Sequence, residues 1–208
     1  KIKLDNGGNI EYSKEGAVEV ARALSKDYKA EMVTVQTQEG KKTLYNYAIT
    51  GAIDAEKTAD SIVDAAENGG VGKIFADKNL TAELDDHVEV SLNSQTVYLV
   101  QNGQVTMKTP VVTGTAGHRT PPGIFKLAWK ASPSVLCGKN DDGTEYENPV
   151  NFWMPFNGGI GLHDAPWRGS FGGSIYVYNG SHGCVNMPYN AARTVYNWIQ
   201  SGDIIVVY

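Results

Sequence analysis

Apolar positions in the first third of the chain recur at helical spacing. Val18, Ala21, Leu24 and Tyr28 share one helical face, and Ser13 ahead of them can accept from the free N–H groups of a first turn, which predicts a helix over 14–28. Val33, Val35 and Thr37 then alternate, "QEGKK" turns the chain, and Tyr45, Tyr47 and Ile49 alternate back as the second arm of a hairpin. Asp54 heads a second helix with a stripe of Ala59, Ile62, Val63 and Ala66, stopped by "NGG". Such stripes build a core, and no catalytic constellation falls in this part.

From His87 onward the period shortens to two. "HVEVSL" and "TVYLV" alternate, "QNGQ" is a two-residue hairpin turn, and "VTMKTPVVTG" continues as a longer strand. The acidic linker "AELDDH" therefore divides a mixed α/β module, residues 1–86, from a β-rich domain, residues 87–208, giving an α+β protein. The stretch 131–149 is rich in Ser, Asn, Asp, Gly and Glu and reads as a long loop, either solvated or a flap over a site. Glycines interleaved with aromatics follow, in "NGGIGLH", "WRGSFGGS" and "YVYNGSHGC"; they suit tight loops around a substrate or bulges of a curved sheet. A helix over 188–200 with Ala191, Val195, Trp198 and Ile199 inward and a strand "DIIVVY" close the chain.

Composition changes this picture little. The 208 residues are 41% apolar and 20% charged with net charge −5, which fits a globular protein, and no Lys/Arg run is dense enough to track nucleic-acid phosphates. No apolar stretch approaches the roughly 18 to 20 residues that cross a bilayer. The chain opens on Lys1 without an initiator Met or signal peptide, so we expect a piece of a longer protein whose export signal or membrane anchor lies upstream.

Chemistry concentrates in "NGSHGCVNMP". Cys184 lies three residues after Ser181 and two after His182, and His163 ends the apolar run "GIGL". A thiol just ahead of the helix expected at Pro188 and beside an imidazole would have its thiolate favoured. Acyl transfer needs a nucleophile, a base, a group orienting the base and backbone donors for an oxyanion. Cys184, His163, Ser181 or a carbonyl of its loop, and the Gly183 amide fill those roles. Zinc on His163, His182 and Cys184, with Asp164 nearby, is the alternative, although a two-residue His–Cys spacing is uncommon for zinc. A Cys137–Cys184 disulfide and an inert buried cysteine are further alternatives. His87 and His118 are expected on the surface, His118 with Arg119 at the edge of a groove.

These residues resemble the signature of the L,D-transpeptidase catalytic domain: a His, a spacer, then Ser-His-Gly-Cys, an apolar residue and Asn, here His163, Ser181, His182, Gly183, Cys184, Val185 and Asn186. "VEVSLNSQTVYLVQNGQV", "PVVTG" and "TPPGIFKL" agree with it in order, and the likeness spans about residues 87 to 208. It implies a sandwich-like β-rich catalytic domain with one C-terminal helix, preceded by a module suspected of binding peptidoglycan. It implies cleavage of a stem peptide between its third, diamino residue and the D-Ala in fourth position, a thioester on Cys184, and transfer to an acceptor amine as a 3→3 cross-link. His163 would be the base, the Gly183 and Cys184 amides the oxyanion hole, and Ser181, His182 and Asn186 the supporting loop. Asn186, Gly161, Trp153 and His118 would line the substrate groove. The partners would be peptidoglycan stem peptides of a Gram-positive type wall outside the membrane, with no cofactor or metal, and carbapenems would acylate the cysteine. Thioester hydrolysis, an L,D-carboxypeptidase activity, uses the same residues, and a non-catalytic wall-binding module is the reading from another class.

Overall fold

The computed structural model describes residues 2–3, 9–10, 13–51, 53–76, 80–140 and 142–208. In chain order the elements are β1 (Ile2–Lys3), β2 (Asn9–Ile10), α1 (Lys14–Asp27), β3 (Met32–Thr37), β4 (Gly40–Tyr45), α2 (Ala55–Asn68), β5 (Leu80–Ala82), β6 (His87–Ser91), β7 (Thr96–Gln101) and β8 (Gln104–Pro110). They continue as β9 (Gly123–Lys126), β10 (Ser134–Lys139), β11 (Glu145–Val150), β12 (Trp153–Asn157), β13 (Ile160–Asp164), α3 (Ile175–Asn179), β14 (Val185–Met187), α4 (Tyr189–Trp198) and β15 (Ile204–Val207). Two compact units result: Lys1–Thr34 with Ala48–Thr81, and Val35–Tyr47 with Ala82–Tyr208.

In the first unit α1 starts where Ser13 Oγ accepts from the Gly16 amide at 3.0 Å, and α2 where Asp54 Oδ1 accepts from the Lys57 amide at 3.0 Å. Gly69 ends α2 in the left-handed conformation, with the next amide donating to Ala65. Ala17 and Val18 meet Ala59, Ile62 and Val63. The expected stripe on α1 is shorter than its periodicity suggested, because Leu24 is exposed.

The second unit is two sheets around one core. The larger has the order β8-β7-β6-β15-β9, with β15 parallel to β6 and the other neighbours antiparallel. Asn102 and Gly103, both at positive φ, make the β7–β8 turn that "QNGQ" predicts. The smaller sheet has the order β12-β13-β14. Val88, Val90, Leu99, Phe125 and Ile205 of the first meet Met154, Leu162, Val185 and Met187 of the second, with Val195 and Ile199 completing the core. Lys130 Nζ donates to the Tyr196 and Ile199 carbonyls at 2.9 and 2.7 Å, placing a cation where the last carbonyls of α4 lack helical partners.

Three sequence expectations are corrected here. The stretch 131–149 is not an irregular loop, because β10 and β11 pair from Ser134↔Val150 to Lys139↔Glu145. The run over 175–179 forms the short helix α3. His87 is buried: Nδ1 meets the Asp85 carbonyl at 2.6 Å and Nε2 meets Glu89 Oε1 at 3.0 Å. Glu89, fully buried, also accepts from the Gln38 amide and the Tyr208 hydroxyl, so the polar residues of β6 satisfy one another under cover instead of facing water.

Candidate active site

Strand register assembles the site. β13 and β14 run parallel, with Leu162 opposite Val185, His163 opposite Asn186 and Asp164 opposite Met187. Side chains alternate between faces, so Leu162, Val185 and Met187 enter the core while His163 and Asn186 emerge together on the other side. Cys184, one alternation before Asn186, joins them. Gly161 precedes His163 by the same step, and a side chain there would meet the Met154 carbonyl at 2.6 Å and the Trp153 ring at 2.7 Å. Only glycine leaves Trp153 its place beside the His163 ring, 5.9 Å between centroids.

The tautomer of His163 follows from its neighbours. Arg168 Nε, which can only donate, reaches Asn186 Oδ1 at 2.7 Å. The other end of that carboxamide, Nδ2, therefore donates to His163 Nε2 at 3.0 Å, and the ring proton sits on Nδ1, donated to the Asp164 carbonyl at 2.8 Å. Nε2 carries the lone pair a base needs. Burial lowers the pKa of His163 to about 4 against a smaller opposing pull from Asp164, and the nearby Arg168 charge adds a little to the lowering. His163 Nδ1 is thus held by a carbonyl on its own strand, while the Ser181 hydroxyl is engaged inside its loop. The Asp164 carboxylate accepts from the Asn151 amide, the Asn151 side chain and the Phe152 amide at 2.7–2.9 Å, holding the entry to β12.

The loop that carries Cys184 is tied down by the "PVVTG" and "TPPGIFKL" segments. Val112 exchanges two backbone hydrogen bonds with Asn186, Ser181 donates to the Thr113 carbonyl, and Thr115 donates to that of Ser181. Thr120, from "TPPGIFKL", donates to the Gly183 carbonyl at 2.7 Å and accepts from the Gly114 amide at 3.0 Å. Gly114 has no room for a side chain, which would strike the His118 carbonyl, the Thr120 amide and the Gly183 Cα. Ser181 Oγ donates to the Cys184 carbonyl at 2.5 Å and accepts from the Gly183 amide at 3.1 Å. Gly183 itself stands at φ 113°, a conformation that favours glycine.

One electrostatic expectation is reversed. Cys184 leads into β14, and α4 begins only at Tyr189, so no helix N-terminus supports a thiolate. Burial pushes the Cys184 thiol up from its ordinary value, and a smaller effect of the Gly161 amide opposes it. The thiol rests toward the Gly159 carbonyl at 3.6 Å. The resting pair is therefore neutral thiol and neutral imidazole.

A cavity of about 580 Å³ opens over these groups, lined by Cys184, His163, Asn186, Ser181, His182, Trp153, Trp167, Arg168 and residues of the β10–β11 hairpin. Tyr146 of that hairpin stacks on His182, 5.6 Å between centroids and 20° between planes. His118 packs edge-on to the same ring at 4.7 Å and lies outside the cavity lining, as do Gly161 and Gly183. Sequence reasoning missed Arg168, Tyr146 and Trp167. Trp167, half exposed and 5.8 Å from the His163 ring, had no signal beyond its place in "HDAPWRG". Both cysteines are free thiols, and among the described residues no three His, Cys, Asp or Glu side chains group to hold a metal.

A two-sheet β domain with a thiol and an imidazole lining one cavity defines a class of cysteine-site domains. Within it, the chain belongs to the L,D-transpeptidase catalytic-domain family, which matches residues 85–207. A cysteine-to-serine mutant of the Enterococcus faecium L,D-transpeptidase is 25% identical, with TM-score 0.71 over 99% of this chain and 86% of that one. The carbamoyl enzyme of Ldtfm with avibactam is 26% identical, with TM-score 0.72 over 98% and 83%. The E. faecium catalytic domain acylated by ertapenem is 36% identical, with TM-score 0.56 over 60% of this chain and 98% of that one. A search of curated proteins gave no match. Among the described residues, no helix is long and apolar enough to cross a membrane.

Proposed function

We propose that the protein is a peptidoglycan L,D-transpeptidase acting through Cys184. The Cys184 thiol turns from the Gly159 carbonyl toward His163 Nε2, displacing Asn186 Nδ2, and gives up its proton as Sγ attacks the carbonyl carbon between the diamino residue and the terminal D-Ala of a stem tetrapeptide. The Cys184 amide, and that of Gly183 once Ser181 releases it, receive the oxyanion. Collapse breaks the C–N bond, the imidazolium returns the proton to the D-Ala amine, and a thioester remains on Cys184. An acceptor amine of a neighbouring stem attacks that thioester, its proton passes to His163 Nε2, and the thiol re-forms as the 3→3 cross-link is made.

The observation that carries this reading is the convergence of a half-buried thiol and an unprotonated Nε2, held by Asp164 and Asn186, on one cavity. Burial suits the chemistry: a neutral pair enters the cavity without stranding charge, and charge develops only as the proton moves. The β10–β11 hairpin, latched by Tyr146 on His182, is the cover that would keep water from the thioester. We place the enzyme on the outer side of the membrane, divide it into a module of residues 1–86 that holds peptidoglycan and a catalytic domain of residues 87–208, and expect carbapenems to acylate Cys184. The test is incubation with a disaccharide-tetrapeptide. Mass spectrometry should find an acyl-enzyme lacking D-Ala and cross-linked dimers, both lost in Cys184→Ala; dimers formed without Cys184 would refute the assignment.

A further inference from the structure

Arg168 is a cation in the cavity, and among the described residues no acid pairs with it. Its Nε donates to Asn186 Oδ1 and its Nη1 to the Asn179 carbonyl at 2.7 Å, and its other N–H donors have no partner among the described residues. Burial lowers its pKa, and no carboxylate acts on it in the opposite direction. Asp164, the acid nearest in sequence, is committed to Asn151 and Phe152. A half-buried guanidinium carries a desolvation cost that a carboxylate partner would normally offset, and its planar fork matches two carboxylate oxygens.

Position specifies which carboxylate. Arg168 is separated from His163 Nε2 by a single carboxamide, that of Asn186. In the proposed reaction the leaving amine must meet His163 Nε2 to take its proton, and in an α-amino acid the carboxylate carbon lies only about 2.5 Å from that nitrogen. The free α-carboxylate of the leaving residue is thereby held close to the His163–Asn186–Arg168 chain, in which Arg168 supplies the charged donor. We propose that Arg168 is the binding site for the α-carboxylate of the residue released from the donor, so that the enzyme selects donors ending one residue past the bond it cuts. This rests on the transpeptidase reading above and adds a specificity determinant to it.

The experiment compares two donors, a stem tetrapeptide with a free C-terminal carboxylate and the same peptide as its C-terminal carboxamide, reading acylation of Cys184 by intact mass. Wild type should acylate from the acid on the order of tenfold faster than from the amide, Arg168→Gln should bring that ratio close to one, and Arg168→Lys should keep part of it. If Arg168→Gln slows both donors equally, the residue only positions Asn186 and the proposal is overturned. A second measurement needs no turnover: alkylation of Cys184, followed by peptide mapping, with iodoacetate and with neutral iodoacetamide. Arg168→Gln should lower the iodoacetate-to-iodoacetamide rate ratio several-fold, and an unchanged ratio overturns the anion site itself. Should neither peptide acylate Cys184 while the haloacetate ratio falls, the transpeptidase reading fails and the carboxylate site stands.

Discussion

His163 is neutral at physiological pH because two aromatic rings and two hydrogen bonds replace its water. Unfolded, the imidazole titrates near 6.5, and folded near 4. Between those values the unfolded chain binds more protons, so stability falls as pH falls, by about 3 kcal/mol in all once pH is below the folded value. Denaturant titrations from pH 7 to 4 should show this loss in wild type and a shallower one in His163→Gln; parallel curves would mean the ring is not buried neutral. The same protonation removes the base, so acylation of Cys184 should decline on an acid limb near pH 4. With its thiol pushed up by burial, Cys184 should alkylate slowly at neutral pH and faster as pH rises beyond the ordinary thiol range. Cys184 and its distant His163 were legible because the spacing of Ser-His-Gly-Cys and one upstream histidine is a sequence pattern. Arg168 was not, since its reach to Asn186 depends on the crossover from β13 to β14 that brings positions 18 apart into contact.

The β10–β11 ribbon shows why composition misled at 131–149. A two-stranded ribbon with every other side chain exposed and only Val150 buried needs no continuous apolar face, so its polar residues look like a loop. Its inner side is nonetheless shaped: a side chain at Gly138 would collide with the Tyr146 hydroxyl and ring, which the His182 stack holds in place. Tyr146→Ala should loosen this cover and raise hydrolysis relative to cross-linking severalfold in product analysis, and an unchanged ratio would remove the hairpin from the mechanism. Beside the loop that carries Cys184, Thr120→Val leaves the Gly183 carbonyl and the Gly114 amide without their buried partner. We expect a loss of about 2 to 3 kcal/mol in urea unfolding together with slower acylation, both largely rescued by Thr120→Ser, which keeps the hydroxyl.

For the molecule as a whole, alternation along β6 and β7 identified the β-rich domain, and helix caps identified α1 and α2, because these signals are local. What stayed hidden was non-local. The last strand, β15, inserts between β6 and β9, and residues 35–47 belong to the same compact unit as that sheet, covering Glu89 through Gln38. Glu89 is buried in this unit together with His87, which was expected on the surface. Non-local hydrogen bonds likewise make the "TPPG" and "PVVTG" segments the frame of the loop that carries Cys184. The central claim is that this frame serves a thiol that carries an acyl group. Intact-protein mass spectrometry after mixing with a stem tetrapeptide tests it most directly. The account predicts a mass increase equal to the peptide less D-Ala, mapped to Cys184 and absent in Cys184→Ala and in His163→Gln; product formation that survives Cys184→Ala and stops on adding a chelator would contradict it.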